Sequence, residues 1–198
     1  MPEWLGSYQG QKARRRFVSA VNPEGQYRAL TDQLAITDTI ANRGALAAEC
    51  LALGKYDEAK GHYDEILTRP LGDRPAFMLG RVRAEFGLGR PADTVATLDE
   101  LRRRWPDYQS ADAHLLHARA LEEIGRTDEA TEEYKALAGY FPGDEARMRY
   151  GLLLDRLDRK SEARAVFSDL LTHMRRATKY VRKVQAEWIG LAEKALRG

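Results

Sequence analysis

His114 and His117 stand three residues apart, a spacing that sets two imidazoles on one helical face and is compatible with a metal. No third histidine or carboxylate follows at ligand spacing, and both positions fall where the hydrophobic periodicity places a hairpin interior. The residues therefore read as packing, not as a metal site. His62 and His173 are isolated and expected to be exposed. Glu122-Glu123, Asp128-Glu129 and Glu132-Glu133 form an acidic run, but paired catalytic carboxylates need opposed walls about a substrate apart. These lie along one hairpin, interleaved with Arg126 and Lys135, and read as a solvated face. Cys50 sits among Ala47, Ala48 and Leu51, an apolar setting that leaves a thiol inert. Phosphate-loop, nucleophile-elbow and zinc-protease motifs are all missing. The expectation is a chain that is not an enzyme and uses no cofactor and no metal.

Cationic clusters are the other chemistry. Arg102-Arg103-Arg104 precedes Trp105-Pro106, where arginines ending a helix face the negative end of its dipole. Arg175, Arg176, Lys179, Arg182 and Lys183 crowd nine residues, and such a cluster is attracted to anionic lipid headgroups. The net charge of +2 is unevenly spread. Residues 1–22 carry four basic and one acidic side chain, residues 23–171 carry 21 and 27, and residues 172–198 carry seven and two. An acidic body between basic ends argues against a nucleic-acid groove along the chain. No apolar run approaches the roughly 18 residues of a membrane span, and the first residues lack the apolar stretch of a signal peptide.

What positions these groups is a recurring phrase: LGKYDEA from Leu53, LGRPADT from Leu88, IGRTDEA from Ile124 and LDRKSEA from Leu157. Its glycines are Gly54, Gly89 and Gly125, with Asp158 in the fourth copy. A period near 34 residues marks stacked helical hairpins. The glycine suits a left-handed helix end. Asp57, Asp93, Asp128 or Ser161 then reads as the cap of the next helix. Small residues follow at Ala59, Thr94, Ala130 and Ala163. Bulky ones come at Tyr63, Leu98, Tyr134 and Phe167, and again at Ile66, Leu101, Leu137 and Leu170, a helical stripe. First helices are expected over 41–53, 76–88, 111–124 and 144–157, and second helices over 56–68, 91–104, 127–140 and 161–174. Pro70, Pro106 and Pro142 close the first three units.

Residues 41–175 resemble the tetratricopeptide repeat (TPR) family in spacing, small residues and closing prolines together. Thr94, Glu85 and Asp158 depart from its pattern. The predicted fold is all-α, a right-handed solenoid of four helical hairpins. Residues 1–21 read as a basic arm, flexible or a weakly packed helix, and 22–40 as an N-terminal capping helix begun by Asn22-Pro23 with Tyr27, Leu30, Leu34 and Ile36 or Ile40 inward. Residues 176–198 form a C-terminal capping helix, with Tyr180, Val184, Trp188, Leu191 and Ala195 as its apolar stripe. A narrower resemblance rests on PEWL, RRRF, NPEGQYRAL, ADAHLLHARALEEIGR, YFPGDEARMRYGLLL and QAEWIGLA. It is to the soluble part of bacterial TPR proteins anchored by two N-terminal transmembrane helices. That resemblance implies a cytoplasmic location at the inner face of the membrane.

In this fold the first helices line a concave groove, and by register Leu79, Arg83, Phe86, Leu115, Arg119, Glu122, Met148 and Leu152 face it. Arg83 and Arg119 read as anion clamps over an apolar floor of Leu79, Phe86, Leu115 and Met148, suited to a peptide with an acidic residue or terminal carboxylate. Alternatively the arginines pair with Glu85 or Glu122, or residues 1–40 fill the groove. The expected function is a protein–protein interaction scaffold binding a protein or peptide. The alternatives are a homodimer through the terminal helices and peripheral association with anionic membranes through the basic ends.

Overall fold

The computed structural model describes residues 23–197; the predicted basic arm and Asn22 lie outside them. Among the described residues there are eleven helices and no strand. They run α1 Pro23–Ile36, α2 Ile40–Ala52, α3 Tyr56–Leu67, α4 Pro75–Gly87, α5 Pro91–Arg104, α6 Ala111–Glu123, α7 Thr127–Tyr140, α8 Glu145–Arg156, α9 Lys160–Arg176, α10 Lys179–Val184 and α11 Ala186–Arg197. The chain forms two compact units, Met1–Gln109 and Ser110–Gly198. In the first, α1 to α5 pack each on the next; in the second, α6 to α9 do the same and α11 closes over α9 and α8. No helix among the described residues is long and apolar enough to cross a membrane.

The repeated phrase builds one turn four times. Gly54, Gly89, Gly125 and Asp158 all take a left-handed backbone, with φ of 73°, 68°, 79° and 59°. The next residue donates its N–H five residues back: Lys55 to Cys50, Arg90 to Glu85, Arg126 to Leu121 and Arg159 to Leu154, each at 2.8–3.0 Å. This double-bonded helix end leaves three residues for the whole connection,. Consequently Lys55, Arg90, Arg126 and Arg159 occupy the N-cap positions, without a side-chain cap. The expectation that Asp57, Asp93, Asp128 or Ser161 caps these helices is corrected. The turn is too short to place them outside, so the aspartates sit in the first helical turn, where they still complement the dipole.

The predicted stripe is the core. Ala59, Thr94, Ala130 and Ala163 are fully buried, as are Ile66, Leu137 and Leu170, with Tyr63, Leu98, Tyr134, Phe167 and Leu101 at most 5% exposed. Each large side chain taken out of water contributes roughly 1.5–3 kcal/mol. At the amino end, Tyr27, Leu30, Leu34 and Ile40 pack on the cluster of Leu46, Ala47, Cys50 and Ile66. Ile36 is 85% exposed, which leaves Ile40 as the inward isoleucine. Tyr27 seals this contact by donating to Glu58 at 2.6 Å, beneath Lys55 at 3.6 Å from its ring. Asp38, between α1 and α2, accepts from Arg43 and in a two-bonded fork from Arg69 (2.9 and 2.6 Å). Those guanidiniums hold its carboxyl well below the usual range.

At the carboxyl end the single capping helix becomes two, broken at Gln185. That side chain is 8% exposed and accepts from the Asp144 N–H at 3.4 Å, which holds the break against the loop before α8. The break turns the helix. Ala192 is buried, while Tyr180, Val184 and Leu191 of the predicted stripe are 66%, 49% and 37% exposed.

Glu85, one of the departures, is completely buried on α4. It accepts from Arg81 at 2.8 Å, and Arg81 also pairs with Asp64 of α3 at 3.2 Å. Burial raises the carboxyl's pKa, and hydrogen bonds from Thr97 and Arg81 oppose that only in part. A raised acid costs stability progressively as pH climbs past its unfolded value near 4.5,. Glu85→Gln is therefore expected to be no more stable than the parent near about pH 4, and to gain over it as pH rises to neutrality. Urea midpoints at the two pH values check this; a gain that shrinks with rising pH would reverse the sign argued here.

Candidate partner-binding site

The groove register divides by position. The residues ten before each turn glycine or its substitute (Leu79, Leu115 and Met148) are 3%, 5% and 0% exposed. The apolar floor is therefore corrected, because these side chains belong to the helix packing. Gly44 shows why at the same position, since a Cβ there would stand 3.1 Å from the Phe77 ring of α4. Positions six and three before the turn keep surface. Arg83 and Leu152 are exposed, and Phe86, Arg119 and Glu122 half-buried. Arg83 belongs to the first unit and Arg119 to the second. Both already engage other groups of the chain.

The second unit gathers a polar face from α6, α7, α8 and α11. Arg119 of α6 is disfavoured as a cation, first by burial and then by the neighbouring charge of Arg149 on α8. Arg149 donates to Glu145 at 3.0 Å and lies 5.9 Å from the Trp188 ring of α11. Beneath them Tyr134 of α7 is fully buried and donates its hydroxyl to Glu122 at 2.7 Å. Burial pushes that phenol upward. Glu122 also pairs with Arg156, while Glu85 is taken by Arg81. Leu152, 36% exposed, lies on α8 between Arg149 and Arg156. Two guanidiniums beside an exposed leucine, with Arg156 at the edge, form a surface for a carboxylate next to an apolar side chain.

Arg149, Arg156 and Trp188 were missed by sequence reasoning. The register set Met148 outward; its burial turns Arg149, one residue on and about 100° around the helix, to the surface. Trp188 needed the break at Gln185, which periodicity does not show.

The histidines are placed differently from a ligand pair. His117 is buried and its Nδ1 lies 3.1 Å from Glu133 of α7. His114, half-buried, contacts Glu133 and the Tyr140 hydroxyl. A carboxylate does join them, but across the hairpin, sixteen residues beyond His117. No group of three such side chains is arranged for a metal among the described residues. His62 is half-buried against Arg43 at 3.3 Å, which corrects its exposed reading. Cys50 is fully buried and its thiol is pushed up to about 11, chiefly by burial. Arg104 pairs with Asp73 and Glu100, a structural use of that basic cluster.

A family model described as the N-terminal domain of the ESX-1 secretion system protein EccA1, of type VII secretion, matches residues 9–190. The chain belongs to that family. Solved structures agree on the fold. A thermophilic TPR protein of Thermus thermophilus is 18% identical, with a TM-score of 0.60 over 88% of this chain and 94% of its own. MamA (41-end) from Desulfovibrio magneticus RS-1 is 16% identical, with a TM-score of 0.69 over 88% and 97%. The TPR-like repeats of a putative kinesin light chain from Podosopora anserina are 15% identical, with a TM-score of 0.67 over 89% and 100%. No curated protein matches the chain. The fold is all-helical and TPR-like, a class consistent with protein–protein interaction.

Proposed function

We propose that this chain is a protein-binding module whose first-helix face takes an acidic segment of a partner protein, with Arg119 and Arg149 as the anion contacts. The observation that carries this reading is that the half-buried Arg119 feels the charge of Arg149 on α8, the helix that also carries the exposed Leu152. Holding two half-buried like charges together is unfavourable, and an incoming carboxylate relieves it by charge-assisted hydrogen bonds. The family's place in type VII secretion makes a component or client of such a system the natural partner. A cytoplasmic location at the inner membrane face, as the anchored TPR proteins suggest, belongs to the same proposal.

A photo-crosslinking residue at Leu152 is expected to trap a partner in cells. The same residue at Ala136, exposed on α7, is not. Arg119→Glu with Arg149→Glu should remove the Leu152 adduct while leaving helicity intact. Equal adducts from both positions, or an adduct that survives the double variant, would discard the face as the binding site.

A further inference from the structure

Independently of that face, α10 and the end of α9 carry a surface for which the partner chemistry differs. Arg175, Arg176, Lys179, Arg182 and Lys183 are all exposed. Among the described residues none of them forms an ion pair, whereas Arg43, Arg69, Arg81, Arg104, Arg126, Arg147 and Arg159 each hold a carboxylate. Beside these cations stand Tyr180 and Val184, 66% and 49% exposed and one helical turn apart, with Leu191 of α11 at 37%. Val181 on the same helix, α10, is half-buried. Thr178 fixes its start by accepting from the Val181 N–H at 3.3 Å.

We propose that α10 docks on an anionic lipid surface, its lysines and arginines among the headgroups and Tyr180 and Val184 at the acyl boundary. Five exposed cations crowded into nine residues attract a polyanion,. The two apolar side chains gain nothing from a fully hydrated one but are buried at a bilayer interface. A second copy of this surface is disfavoured, because it would set the same cations face to face. Tyrosine suits the role, with an apolar ring and a hydroxyl that stays at headgroup level.

The test is sedimentation of the whole chain with phosphatidylcholine vesicles, alone or mixed with phosphatidylglycerol. The parent is expected to pellet with the mixed vesicles only. Each cation contributes on the order of fivefold to partitioning. Lys179→Glu with Arg182→Glu and Lys183→Glu should therefore lower it by about 100-fold or more. Tyr180→Ser with Val184→Ser should weaken binding about tenfold and leave a remainder that salt abolishes. Circular dichroism on each variant guards against unfolding. Equal pelleting on both vesicle types, or binding that survives charge reversal, would overturn the proposal. So would a Tyr180→Ser, Val184→Ser variant that binds as the parent does, since that result marks attraction to any polyanion. Light scattering that shows a dimer lost in the same variant, without vesicle binding, would assign the surface to self-association instead.

Discussion

Gly72→Ala should destabilise the first unit by about 3 kcal/mol, a large effect for one methyl group. Gly72 is buried in the connection between α3 and α4, and a Cβ on it would stand 1.8 Å from the carbonyl oxygen of Ile66 and 2.8 Å from its carbon. The obstacle is backbone and cannot rotate away. Relief requires moving the end of α3 or the loop, and that loop is tied at both ends. Gly72 donates to Arg69 at 2.9 Å, Arg74 donates to Gly72 at 2.8 Å, and Arg69 forks onto Asp38. Gly61→Ala is the control, since it lies within α3 and its added methyl meets nothing within 4 Å. There alanine's better helix propensity should stabilise by roughly 0.5–1 kcal/mol. Urea unfolding of the two variants should move in opposite directions. Unchanged stability of Gly72→Ala would show that the loop is looser than its contacts imply.

The contrast between these glycines shows where sequence reasoning reaches and where it stops. Gly54, Gly89 and Gly125 were readable because they recur at one point of a repeat, and the left-handed turn follows from the residue type. Gly72 recurs nowhere. Its need arises from how one loop crosses the last carbonyls of one helix, a three-dimensional fact. The same distinction runs through the site. The repeat register placed Cys50 and the stripe residues in the core, because burial follows helical period. It misplaced Leu79, Leu115 and Met148, because first helices touch their neighbours along a broader face than a single stripe allows for. Arg149 then came to the surface in place of Met148. Glu133 reached the histidines from the facing helix, a pairing that spacing along one helix does not reveal. At the carboxyl end one buried glutamine, Gln185, broke a helix that an uninterrupted apolar period had joined.

The second large effect concerns a pair of sizes. A Cβ at Gly151 would stand 2.3 Å from Cε1 of Phe167, and that ring is 1% exposed with no room to swing aside. Gly151→Ala should therefore cost about 1–3 kcal/mol despite the gain in helix propensity. Phe167→Leu alone leaves a void and should cost about 1–2 kcal/mol. Combined, the two should cost less than their sum by at least about 1 kcal/mol, because each removes the other's fault. The chain itself supplies the precedent. Seven residues before and nine after the turn position, the four repeats carry Ala47 with Tyr63, Val82 with Leu98, Ala118 with Tyr134 and Gly151 with Phe167. The β-branched residue accompanies the leucine, and the smallest residues accompany the rings. A double-mutant cycle read by urea unfolding checks the coupling. Strictly additive costs would mean that Phe167 escapes by a rotamer change and that size pairing does not set the spacing of α8 and α9. If the coupling is found, the same pair fixes the rotation of α8, and with it the direction in which Arg149 faces.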